Sequence, residues 1–228
     1  MWKIKKTGMM LLAVSLVLLA IAGSASAATI YVESGKSIQN AVNSAHSGDT
    51  IIVKPGTYAG DITVSTPNLI IMSSSSYTAI IKATENAFSL DANNITVKNF
   101  AIKGSGSSNG ISIGSLLCTV RNNKISNFGT GVLVSTENYG TSGSIINNDI
   151  SECDGGILLW STSGNTISGN RISNCACGLS LADSYGTLIY NNNFNNTVNS
   201  QFTDMQTWST TKTTGKNIVG GPYLGGNY

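Results

Sequence analysis

CTVRNNKI (118–125), SIINNDI (144–150), NTISGNRI (165–172) and TLIYNNNF (187–194) are copies of one short pattern, and ITVKNFAI (95–102) precedes them in the same form. Their closing apolar residues, Ile102, Ile125, Ile150, Ile172 and Phe194, follow one another at steps of 23, 25, 22 and 22 residues. A second pattern runs half a period behind: Gly110-Ile111-Ser112-Ile113, Gly131-Val132-Leu133-Val134, Gly156-Ile157-Leu158-Leu159 and Gly178-Leu179-Ser180-Leu181. Self-similarity at twenty-odd residues marks a solenoid, whose units bury their apolar faces only by stacking.

Within each copy apolar residues alternate with polar ones, which is the period of a strand buried on one face, and no helical period appears. Stacking puts Val97, Val120, Ile145, Ile167 and Ile189 in one inward column and the closing residues in a second. Ile111, Val132, Ile157 and Leu179 make a third; Ile113, Val134, Leu159 and Leu181 make a fourth. The expected fold is all-β, a right-handed parallel β-helix. Two residues before each closing residue stand Asn123, Asn148, Asn170 and Asn192, with Phe100 in the first copy. Asparagine tolerates left-handed backbone and its amide both donates and accepts, so these residues read as corner ladders; a polar binding strip is the alternative.

At the start of the chain, Lys3, Lys5 and Lys6 precede an uncharged run over 9–22 and then Ala25-Ser26-Ala27. That is the layout of a secretory signal over 1–27, with a retained membrane anchor as the alternative. Residues 28–64 read as an N-terminal cap and first coil, 65–198 as the β-helix and 199–228 as a C-terminal cap. Ile38, Ala41, Val42 and Ala45 have helical spacing behind Ser37, so a short helix is expected to cover the open end of the solenoid. Pro55-Gly56-Thr57-Tyr58 reads as a turn. In the tail, Trp208 and Tyr223 are the expected apolar anchors on the last coil.

The chain carries 13 Lys+Arg against 11 Asp+Glu, and three of those lysines fall within 1–27, so the remainder is close to neutral. Nothing in that balance points to nucleic acid, and no segment after 27 is apolar for long enough to span a bilayer.

The string SIQNAVNSAHSGDTIIVKPGTYAGDITV (37–64) resembles the opening of NosD-type, pectin-lyase-like β-helix domains. NIVGGPYLGGNY (217–228) is similar to the close of such domains in archaeal cell-surface proteins. The resemblance implies an exported β-helix of the cell surface or envelope. Enzymes of this superfamily that cleave polysaccharides bring opposed carboxyls together, or acids for calcium beside a basic residue. Here the densest acidic group is Asp149, Glu152 and Asp154, with Asp183 one coil on, and these read as solvated turns. Lys124, Asp149 and Arg171 fall on successive coils and read as a cross-strand charge ladder, with a catalytic pair as the alternative. Relatives are linked by name to copper, yet His46 is the one histidine, and Met72 and Met205 are the only methionines after residue 27, so no metal site and no cofactor is expected.

Cys153 and Cys175 each lie three residues past a closing isoleucine, below Phe128, and so should stack within disulfide reach; two buried free thiols are the alternative. Cys118 takes the inward slot of Ile95, and Cys177 has no evident place. Outward of the second pattern lie Leu133, Leu158 and Trp160, beside a loop over 136–143 that carries Tyr139. These form a candidate surface for the apolar faces of sugars or for a protein partner, unless that loop or the tail covers them. Asn94 and Asn195 head glycosylation acceptor patterns. The sequence leaves catalysis open and favours a non-enzymatic surface protein contacting cell-envelope carbohydrate or surface proteins. A polysaccharide lyase or hydrolase is the competing reading.

Overall fold

The computed structural model of the chain describes residues 26–136, 140 and 143–228. The secretory segment expected over 1–27 lies almost wholly outside them. Over the described residues the chain winds as a right-handed parallel β-solenoid of about eight turns, with one short helix. Three sheets run along it, one of eight strands and two of seven, all parallel.

One coil shows the plan. Thr119–Arg121 lies on the first face, Lys124–Ser126 on the second and Thr130–Ser135 on the third. The next coil repeats it with Ser144–Ile146, Asp149–Ser151 and Gly155–Trp160. Register follows the expected columns: Val120 faces Ile145, Ile125 faces Ile150, and Val132 faces Ile157. Every member of the four columns is buried except Phe194, which stands half-buried at the end of its stack. The core is therefore one continuous apolar rod.

The two asparagines between the first and second strands divide the work of the corner. The first turns the chain: Asn99, Asn122, Asn147 and Asn191 have φ of 69°, 56°, 55° and 55°, with Gly169 at 67°. The second points inward and is buried. Asn123 N–H donates to Asn148 Oδ1, Asn148 N–H to Asn170 Oδ1 and Asn170 N–H to Asn192 Oδ1, each at 2.9 Å. Each Nδ2 also donates to a carbonyl of the preceding coil, as Asn148 does to Val120 O at 2.9 Å. The ladder sits inside the protein, its amides hydrogen-bonded to one another and to backbone carbonyls.

At the N-terminal end the helix Ile38–Ser44 is capped by Ser37 Oγ, which accepts from Asn40 N–H at 3.2 Å. Its buried face of Ile38, Ala41 and Val42 closes the rod. Gln39 also protects an edge: its Oε1 accepts from Thr63 N–H at 2.7 Å and its Nε2 donates to Thr63 O at 3.0 Å. Strand Ile62–Val64 ends its sheet, so one side-chain amide satisfies backbone groups that a further strand would have paired. The expected turn at Pro55-Gly56-Thr57-Tyr58 is confined to its start. Gly56–Ala59 is a strand, because Tyr58 points inward and its hydroxyl donates to Lys54 O at 2.7 Å.

At the other end the boundary expected after 198 falls within strand Val198–Phe202, which still pairs with Cys177–Ala182. Ser200 stands opposite Leu179, so the apolar alternation has gone while the backbone pairing persists. Trp208 does pack on the core, 5.3 Å from the Phe202 ring. Tyr223 does not anchor the tail; it is exposed, with Lys212 Nζ 4.0 Å above its ring. The tail is fastened instead by hydrogen bonds: Ile189 N–H donates to Thr207 O, Asn191 N–H to Gly226 O and Phe194 N–H to Tyr228 O.

Candidate binding trough on the third face

Alternation on strand Gly155–Trp160 sends Ile157 and Leu159 into the core and Leu158 and Trp160 outward. Trp160 is 55% exposed, and its neighbours in register are Ser135 and Ala182, too small to cover an indole. Leu133 and Leu158 pair in register beside it and are half-buried. Tyr139 lies outside the described residues. The apolar patch is thus centred on Trp160, and the two leucines form its shoulder.

A trough of about 710 Å³ opens in front of the indole, lined also by Asp91, Asn93, Leu116, Ser135 and Thr136. Leu90 pairs with Ile113 and Val134 with Leu159, so Asp91, Gly114, Ser135 and Trp160 occupy one column on successive coils. At ~4.8 Å per coil the carboxylate and the indole are on the order of 14 Å apart. Between them Gly114 and Ser135 leave the floor low. Asn93 is held in place, its Oδ1 accepting from Leu116 N–H at 2.9 Å. The result is an open groove with an aromatic platform at one end and a hydrogen-bond acceptor at the other. Asp91, Asn93 and Leu116 escaped the sequence reading, although extending the column of Gly114, Ser135, Trp160 and Ala182 by one coil reaches Asp91.

The other candidate residues disperse. Lys124, Asp149 and Arg171 do stack in register, but no ion pair joins them. Lys124 Nζ sits 4.9 Å over the Tyr77 ring instead. Glu152 and Asp183 are exposed at left-handed corners with φ of 56° and 48°. His46 Nδ1 lies 4.0 Å from Asp49 Oδ2. A second, smaller trough of about 450 Å³ passes between Lys82 and Lys103, which face each other on neighbouring coils. Asn94 and Asn195 are both exposed; Asn94 Nδ2 donates to Asn68 Oδ1 at 2.8 Å.

The four cysteines are thiols. Cys118 is core, 3.4 Å from Ser115 Oγ, and burial pushes its thiol pKa up. Cys153 and Cys175 are buried under Phe128. Cys177 opens its strand opposite Gly155, half-buried, with its sulfur 3.6 Å from Leu179 O.

Among the described residues no three His, Cys, Asp or Glu side chains gather as a metal site, and no helix is long and apolar enough to cross a membrane. No curated protein sequence matches the chain. A pectate lyase, Pel9A, shares the fold at a TM-score of 0.64 and 18% identity over 78% of this chain and 56% of its own. XylC, solved with xylose, does so at 0.53 and 16% over 71% and 35%. The chain spans about half the length of the first and a third of the second. The model of the family described as periplasmic copper-binding protein (NosD) matches residues 21–228. With nearly the whole solenoid inside that match, the chain belongs to the NosD family.

Proposed function

We propose that this protein is an exported, non-enzymatic β-helix that binds neutral carbohydrate along the trough between Trp160 and Asp91. The observation that carries the reading is the exposed indole at the head of a rigid groove. An aromatic ring presents a flat apolar face to the C–H face of a sugar, and the polar groups beyond it orient hydroxyls. Among the described residues, Asp91 is the one carboxylate lining the trough. Glycoside hydrolysis uses two, and a single fixed negative charge disfavours uronate polymers. The leader-like sequence over 1–27 and the periplasmic description of the family support export.

Copper fits this chain poorly. A copper site needs clustered imidazole or sulfur donors. Among the described residues His46 neighbours Asp49, Met205 is exposed, and the cysteine sulfurs lie in or against the core.

A second reading, a lyase or hydrolase acting on acidic polysaccharide, draws on Lys82 and Lys103. Like charges directly opposite in a sheet oppose folding, and a bound anion would relieve them. A glycan array paired with a depolymerisation assay separates the two. Retention of neutral glycans that is lost in Trp160→Ala, with no change in polymer length, supports the trough. Cleavage of a uronate polymer that is lost in Lys103→Ala overturns it.

A further inference from the structure

Cys153 and Cys175 occupy the same place in successive coils. Ser151 pairs with Ser173 and Gly155 with Cys177, so the corner residues between them are in step. Ala176 N–H donates to Cys153 O at 3.3 Å and fastens the two corners together. Both side chains turn inward, at 5% and 2% exposure, and their sulfurs donate to equivalent carbonyls of the two coils, Cys153 to Ser151 O at 3.3 Å and Cys175 to Ser173 O at 3.5 Å. Stacked corners repeat at ~4.8 Å, inside the ~4.4–6.8 Å between Cα atoms that a disulfide spans. Cys118 sits on another corner of the coil, and the Cys177 sulfur turns towards Leu179 O.

We propose that Cys153 and Cys175 form a redox-sensitive disulfide that staples the two coils carrying Trp160 and Ala182. The oxidant is a small disulfide. Its S–S bond breaks, the Cys153–Cys175 bond forms, two electrons pass from the protein sulfurs, and two protons leave on the released thiols. Cys175 opens the exchange, because the neighbouring Cys153 thiol holds the Cys175 thiol below its ordinary pKa. The same proximity together with burial pushes the Cys153 thiol up. The thiolate is the attacking form in thiol–disulfide exchange. Cys153 then attacks Cys175 in the mixed disulfide and expels the second small thiol. Closure links residues 22 apart in sequence and restricts the unfolded chain.

The test refolds the full chain from denaturant in a buffer of oxidised and reduced glutathione, then maps peptides without reductant. The expected product joins Cys153 to Cys175 and leaves Cys118 and Cys177 open to alkylation. Its thermal midpoint should lie about 5–10 °C above that of the reduced protein. In Cys153→Ala/Cys175→Ala the midpoint should no longer respond to the redox buffer. Recovery of both thiols alkylated, or of a Cys175–Cys177 link, from folded wild-type protein overturns the proposal even if the double variant fails to fold.

Discussion

Asn227 Oδ1 accepts from Asn192 N–H at 3.1 Å, although the two residues are 35 apart in sequence. Asn227 Nδ2 donates to Ile189 O at 2.9 Å, repeating the bond that Asn192 makes to Ile167 O. The tail therefore supplies a fifth rung to the buried asparagine ladder without supplying a fifth coil. Capping and ladder are one device: the last such corner of the rod is closed by the same amide geometry that closes the corresponding corner at Asn123, Asn148 and Asn170.

Asn227→Ala should accordingly weaken the end of the solenoid. It strips partners from Asn192 N–H, Asn192 Nδ2 and Ile189 O together. The end is partly open to water, which can replace some of them, so a loss of about 1–2 kcal/mol is expected. Urea unfolding measures it, and native-state hydrogen exchange should show the loss concentrated at residues 188–195. Uniform loosening of all coils would contradict a terminal cap.

Asn170→Ala should cost more, about 2–4 kcal/mol, because the same rung is here fully buried. Its Oδ1 accepts from both Asn148 N–H and Asn148 Nδ2, and its Nδ2 reaches Ile145 O and Asn192 Oδ1. Asn170→Asp should be at least as harmful, since one amide donor disappears and a charge is buried. If chemical denaturation shows either variant within 0.5 kcal/mol of the parent, on the scale of a surface substitution, the ladder does not stabilise the fold.

How much of this was legible beforehand follows from what periodicity can transmit. The inward columns and the ladder positions were readable because each coil repeats the same constraint, so Ile125, Ile150 and Ile172 reinforce one another. Asp91 was not, because its coil carries Ala87 where the later ones carry Gly110, Gly131 and Gly156, so the glycine that heads the second pattern does not lead to it. Asn227 was hidden by its spacing. Tyr223 was misjudged because apolarity was the only guide in a stretch with no period, and its ring instead lies under Lys212. The charge ladder failed for a different reason: register brings residues opposite one another, but long exposed side chains choose their own partners.

The glycine column carries its own prediction. A Cβ on Gly156 would press against Gly178 O and fall 2.5 Å from Ile172 Cγ2. Gly131 is placed alike, its Cβ 2.6 Å from both Gly156 O and Ile150 Cγ2. Gly156→Ala must therefore push two coils apart, at a cost of about 1–3 kcal/mol. Gly106→Ala is a poor control because its φ is 132°, whereas Gly226→Ala meets nothing within 4 Å and should be near neutral. Comparable midpoints for Gly156→Ala and Gly226→Ala would show that close coil contact is not what requires glycine.

Acid should loosen the N-terminal cap through Asp49. Ala28 N–H and His46 N–H donate to its two oxygens at 2.7 and 2.8 Å, and those bonds hold its carboxyl below the ordinary value. A depressed folded pKa contributes stability that is complete above the unfolded value, near pH 4. It disappears as pH falls through the lower folded value. Asp49→Asn should thus be less stable than the parent at neutral pH and should converge with it once the pH falls below the lowered folded value. Parallel unfolding midpoints for the two proteins between pH 2 and 7 would remove Asp49 from the account.

Trp160→Ala tests whether the wall is a platform or merely a surface. More than half of the indole faces water, and its register neighbours Ser135 and Ala182 do not lean on it. Truncation should therefore change stability by no more than about 1 kcal/mol while lowering glycan affinity at least about tenfold, or ~1.4 kcal/mol. Asp91→Asn keeps the shape of the far end and removes its charge. It should leave stability unchanged, weaken binding of neutral sugars less than the tryptophan change does, and relax discrimination against uronates. Titration calorimetry with the best array ligand distinguishes these outcomes, and a Trp160→Ala protein that binds as tightly as the parent would leave the trough without a function.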